Sequence, residues 1–135
     1  MTAPSGRVLH GEPMIAAVKK AGVSHVLSVP DIHTAKGLLT PIRSDKDFTL
    51  LRTCKEDECF GIAAGLSYGD KRALILIQYT GFLYAMNAIE PILDVMGIER
   101  HYIDDDADIS IITPAINRAY EQSRPVAMLI GRRPL

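Results

Sequence analysis

The sequence predicts an α/β fold: a doubly wound, mainly parallel sheet with helices on both faces. Two observations carry this. Strand-like runs alternate with helix-like ones along the whole chain, and the clearest strand, Ala73 to Ile77 (Ala-Leu-Ile-Leu-Ile), is continuously apolar rather than alternating. A strand buried on both faces needs that composition, and alternation with helices is the signature of parallel crossover units.

In order along the chain, Gly11-Glu12-Pro13 followed by Met14-Ile15-Ala16-Ala17-Val18 reads as a helix with proline in its first turn, closing at Ala21-Gly22. Val23 to Val29 is a short apolar run stopped by Pro30-Asp31, and Phe48 to Thr53 is a second. Glu56 to Tyr68 is a helix ended by Gly69-Asp70, and Ala73 to Ile77 follows as a strand. Tyr102-Ile103 precedes a helix from about Ala107 to Gln122, and Val126 to Ile130 supplies a last buried strand. One stretch breaks the rhythm. Tyr84 to Ile89 runs directly into a second helical pattern, Glu90 to Gly97, with no strand signal between them.

Length and composition bound the function. The 135 residues, 47% of them hydrophobic, suit one domain over 1–135 with a real core. Fifteen basic against 16 acidic residues give a net charge of -1, so no broad field marks a polyanion or anionic-membrane binder. The first residues lack the apolar segment of a secretion signal and no run approaches bilayer length, so a cytoplasmic protein without membrane attachment is expected. Cys54 and Cys59 match neither a redox pair nor a zinc set. They are expected as reduced thiols packed as small hydrophobes, the alternative being a nucleophilic Cys59 that has no histidine nearby in sequence.

In a parallel sheet ligands bind beyond the carboxyl ends of the strands. Pro30-Asp31-Ile32-His33, Cys54-Lys55-Glu56 and Gln78-Tyr79-Thr80-Gly81 all stand at strand ends, so the three should share one rim. Glu56 opens Glu56-Asp57-Glu58-Cys59-Phe60-Gly61-Ile62-Ala63-Ala64-Gly65, which puts a carboxylate at the start of an apolar, small-residue helix. Burial against Phe60, Ile62, Ala63 and Ala64 would raise the pKa of such an acid and let it share a proton. The plain alternative is that Glu56, Asp57 and Glu58 serve the helix dipole. Asp31 is either a polar group of the site or the cap of a following helix, and His33 is placed to donate a proton or meet an anion. Asp104-Asp105-Asp106 with Asp108 suits a helix N-terminus better than a metal, so no metal ligands are assigned. His10, His25 and His101 are isolated and read as surface or packing residues.

Taken together, Glu56 nine positions before Gly65, Gln78-Tyr79-Thr80-Gly81, the later Asn87 and Val29-Pro30-Asp31 resemble the pyrimidine-binding domain of thiamine-diphosphate-dependent enzymes. The resemblance is above all to the sulfopyruvate decarboxylase alpha-subunit family, and more distantly to the N-terminal domain of phosphonopyruvate decarboxylase. It covers Val18 to Arg132 and is specific around residues 52 to 87. It implies a decarboxylase of small anionic 2-oxoacids in which Glu56 acts on the cofactor's aminopyrimidine. Gln78, Thr80, Gly81 and Asn87 would approach the same ring, and Pro30, Asp31 and His33 would lie toward the substrate. In that family magnesium and the diphosphate are held by a Gly-Asp-Gly motif, which this sequence lacks. The resemblance therefore implies a second subunit that carries the diphosphate-binding domain, with self-association also expected. Phe82-Leu83-Tyr84 departs from the family's Leu-Gly-Asn. This leaves open a degenerate, non-catalytic module or a subunit of another split carboligase. Members of the family also carry an extra strand and loop between the segments equivalent to Ile89 and Glu90. Either the chain is trimmed there or residues belonging there are absent from the sequence. Arg132 and Arg133 suit either a solvated tail or contacts to a sulfonate or phosphonate.

Overall fold

A computed structural model describes residues 8–30, 35–78, 93–94, 97–131 and 134–135. Helix α1 (Gly11–Lys20) leads to strand β1 (His25–Ser28). A crossover follows, made of a π-helical turn (Ala35–Leu39) that continues into the short α2 (Thr40–Ser44). Then come β2 (Thr49–Arg52), α3 (Glu56–Tyr68), β3 (Ala73–Leu76) and β4 (Glu99–Ile103). A 3-10 turn (Asp106–Ile111) leads into α4 (Ile112–Glu121), and β5 (Val126–Ile130) is the last strand.

All strand pairs are parallel, as an α/β fold requires. Strands β2, β1 and β3 form one sheet in that order, and β4 pairs with β5 in a second. Among the described residues β3 is therefore an edge; the stretch around Ile89 and Glu90, where a strand was expected to be missing, lies outside them.

The order β2-β1-β3 shows the double winding. The chain steps from β1 to β2 in one direction and from β2 to β3 in the other. Right-handed crossovers then place α2 and α3 on opposite faces. The register sorts the side chains accordingly. Val26 is level with Leu50 and Leu74, and all three belong to one apolar cluster with α1, the crossover, the 3-10 turn and α4. Leu27, level with Leu51 and Ile75, points to the other face, where α3 lies against β1 and β3. Among the described residues the core is one-sided. Its cluster takes Met14, Ile15, Val18, Leu38, Ile42, Ile112 and Ile116 from the helices of the first face and nothing from α3.

Three expectations change. The crossover helix over 35–44 was not foreseen, because Gly37 and Pro41 look like breakers in sequence. The helix expected from Ala107 is split in two. Pro114 has no amide proton, and its ring opposes the carbonyl four residues back, so the α-ladder cannot extend through Ser110 and the chain enters by a 3-10 turn. Cys59 is fully buried as expected, but Cys54 is exposed.

The acids around Asp105 act as caps. Asp105 accepts from the Ala107 amide (2.9 Å), and Asp108 accepts from the amides of Asp104 (2.9 Å) and Asp105 (3.2 Å). The Asp106 carboxylate is held below the usual range by the His10 ring and backbone amide, so His10 is paired rather than isolated. Glu99 is lowered first by Arg118 and then by His101, which is likewise paired.

Helices α1, α3 and α4 end alike. A residue with positive φ follows the cap: Gly22 (75°), Asp70 (54°) and Ser123 (53°). In each case the amide after it returns to the carbonyl five residues earlier, as in Lys71 to Leu66 (3.0 Å) and Arg124 to Ala119 (2.9 Å). Only the first has the glycine that this conformation favours. Ser123→Gly should therefore stabilise the chain by about 0.5 kcal/mol, read from the midpoint of urea unfolding.

Candidate functional site at the carboxyl edge of the sheet

The winding reverses between β1 and β3, and the crevice of such a sheet opens at the carboxyl ends of those strands. Pro30 stands just beyond β1, half-buried Gln78 just beyond β3, and Glu56 begins α3 after β2, so all three share this edge. Asp31, His33, Thr80, Gly81 and Asn87 lie outside the described residues, as do Arg132 and Arg133. Ser28, at the end of β1, is fully buried; its hydroxyl donates to the Val29 carbonyl (3.2 Å).

The turn from β2 into α3 separates the three acids at the helix start. The Thr53 amide donates to the Ser28 carbonyl (3.0 Å) and prolongs the ladder. The Thr53 hydroxyl bonds the Lys55 carbonyl (3.1 Å) and lies 3.0 Å from the buried Cys59 sulfur, which fixes the turn. Glu58 reaches back to accept from the amides of Cys54 (3.1 Å) and Lys55 (3.4 Å), the reciprocal half of a capping box. Asp57 accepts from the Glu58 amide (3.0 Å). Glu56 does neither. It is half-buried and, among the described residues, its carboxylate has no hydrogen bond or ion pair. Capping thus explains Glu58 and Asp57 and leaves Glu56 unexplained.

The shelter expected around Glu56 is incomplete within this chain. Phe60 is 42% exposed, Ile62 39% and Tyr68 94%, and Cys59 is the one buried residue of α3. A β-carbon added at Gly61 or Gly65 would meet nothing within 4 Å. Large apolar side chains left this exposed on one helix are a feature of surfaces that dock against another element.

A cavity of about 410 Å³ lies between the strand ends and the crossover, lined by Pro30, Ala35, Leu39, Thr40, Arg43, Ser44 and Arg52. Pro30 had been singled out from the sequence; Arg43 and Arg52 had not. The available signal was Arg52 as the final residue of β2. A second hollow of about 490 Å³ lies between α1 and α4, and among the described residues Lys20 is its one charged lining residue. Among the described residues no group of three or more His, Cys, Asp or Glu side chains is placed to hold a metal ion, and no helix is long and apolar enough to cross a membrane.

No protein-family model matches the chain. It is similar to the protein named sulfopyruvate decarboxylase subunit alpha from three organisms. With that of Methanocaldococcus jannaschii it shares 36% identity over 73 residues, 54% of this chain and 43% of the relative. With that of Methanococcus maripaludis the identity is 30% over 87 residues (64% and 52%), and with that of Methanothermobacter thermautotrophicus 27% over 92 residues (68% and 55%). The chain is a distant relative of these subunits. It spans about half the length of the curated relatives it matches. Those relatives are decarboxylases by name, and a subunit called alpha implies a partner for them.

Proposed function

We propose that this chain is the pyrimidine-side subunit of a two-subunit, thiamine-diphosphate-dependent decarboxylase of a small anionic 2-oxoacid, like the sulfopyruvate enzymes its relatives are named for. The observation that carries the reading is Glu56. Of three acids in the first turn of α3 it alone takes no part in capping, and it stands at the carboxyl edge on a helix whose apolar face is bare. The relatives' names and the sequence resemblance supply the chemistry.

Bound thiamine diphosphate supplies a carbanion nucleophile and an electron sink, which the side chains of a protein do not. The residues present would suit its aminopyrimidine end: Glu56 would hold a ring nitrogen and share its proton, and Gln78 stands on the other side of the β1 end. Nothing among the described residues fits the magnesium diphosphate end, and the sequence carries no Gly-Asp-Gly. The partner subunit supplies that end and covers α3. Covering α3 would also keep water away from Glu56.

The test is calorimetric titration of thiamine diphosphate with magnesium into this chain alone and into its complex with the partner. The chain alone should bind weakly and the complex at least a hundredfold more tightly. Tight binding by the chain alone overturns the division of the site between two polypeptides.

A further inference from the structure

We propose that Arg43 and Arg52 form the binding site for the anionic tail of the substrate, a tetrahedral oxyanion such as a sulfonate or phosphonate; this rests on the 2-oxoacid reading above. The two come from different elements, α2 and the end of β2, yet line one cavity. Among the described residues seven line it: none is acidic, two are arginines, and Thr40 and Ser44 carry hydroxyls. In a chain of net charge -1 this is a local excess of positive charge.

Four other basic side chains of the fold are committed. Arg72 donates to the Ala21 carbonyl (2.6 Å) and Asn117 (2.8 Å) and lies over the Tyr120 ring. Arg118 pairs with Glu99, Arg100 with Asp94, and Lys19 with Asp45 and Asp47. Arg43 and Arg52, by contrast, have no side-chain hydrogen bond or ion pair among the described residues. A guanidinium in a concave, partly apolar site is a ready partner for an oxyanion, which it meets with two parallel N–H donors.

Size and position agree. A volume of about 410 Å³ falls at the small end of ligand sites and suits a molecule of a few heavy atoms. Pro30 and Arg52 put the cavity at the carboxyl ends of β1 and β2, and Arg52 is four residues before Glu56 across the turn. A tail held here directs the remainder of a short acid along the edge where Glu56 stands.

The test separates binding from turnover. Sulfoacetate, which carries the sulfonate but has no keto group to react, is titrated into the full-length chain and into the two-subunit complex. The comparison ligand is propionate, which has no tetrahedral anion. Sulfoacetate should bind and propionate should not. Arg43→Gln and Arg52→Gln should each weaken sulfoacetate at least tenfold, with Arg52→Lys recovering part of the loss and circular dichroism showing an unchanged fold. In the complex, the KM for an anionic-tailed 2-oxoacid should rise at least tenfold in either variant while that for pyruvate, with its neutral tail, stays within twofold. Arginine-dependent sulfoacetate binding without decarboxylation keeps this cavity as an anion site and removes the decarboxylase reading. Decarboxylation with a KM indifferent to both substitutions, or no sulfoacetate binding in chain or complex, overturns the assignment of the cavity.

Discussion

Glu56→Gln should lower the turnover of the reconstituted two-subunit complex by about 10² to 10⁴-fold, the range that a positioned proton-transferring group contributes. The same substitution should leave the fold almost untouched. Among the described residues the carboxylate supports no amide and no cation, so its removal loses only the favourable placement of a charge near a helix N-terminus, about 0.5 kcal/mol. Glutamine keeps the shape and the hydrogen-bonding reach but cannot share the proton. The neighbouring acid gives the opposite profile. Glu58→Ala removes the acceptor for two amides at the mouth of α3 and should cost about 1 kcal/mol of stability, with little change in turnover per folded complex. Steady-state kinetics and urea unfolding on both variants separate the two roles. A Glu56→Gln complex that turns over within threefold of the parent removes the proton-sharing role and leaves a binding module.

Sequence reasoning could place Glu56 but could not choose among the three acids on physical grounds. A helix start rich in Glu and Asp looks the same whether the acids cap or catalyse. The choice appears once Glu58 is seen turned back on Cys54 and Lys55, a relation across a turn that spacing alone does not determine. The limits of α3 and β5 were legible because a long small-residue run and a short Val-Ala-Met-Leu-Ile run admit few alternatives. The cavity was not legible. Arg43 stands on a helix that Gly37 and Pro41 disguise, and it shares a cavity with Arg52 only because β2 returns beside that helix. The bare face of α3 was equally hidden, since apolar helices look alike whether their cover comes from the same chain or another.

Gly37→Ala should destabilise the chain by about 3 kcal/mol, the upper range for forcing a methyl group into a filled site. A β-carbon on Gly37 would stand 2.4 Å from the Pro134 carbonyl oxygen and 2.6 Å from its carbon, and one on Gly11 would stand 1.7 Å from the Gly37 oxygen. These neighbours are backbone atoms, so no rotamer change relieves the overlap. The backbone itself is pinned, because the Gly11 amide donates to the Leu135 carbonyl (3.0 Å) and the Leu135 amide to that of Leu9 (2.9 Å). Three segments thus close on one another at glycine-to-glycine distance, and Leu38 and Leu39 next to the contact belong to the core. The control lies in α3, where Gly61→Ala and Gly65→Ala meet open space in the isolated chain and should raise stability by about 1 kcal/mol each through helix propensity. Urea unfolding of the four variants (Gly11→Ala included) should give opposite signs for one chemical change. The consequence reaches the site, since Arg43 is six residues beyond Gly37 on the same crossover. A crossover pushed away from Pro134 moves α2 relative to β2 and separates the two guanidiniums, so whatever Gly37→Ala protein remains folded should also bind sulfoacetate more weakly. Loss of stability with undiminished sulfoacetate binding would mean that the crossover does not set the spacing of the arginine pair.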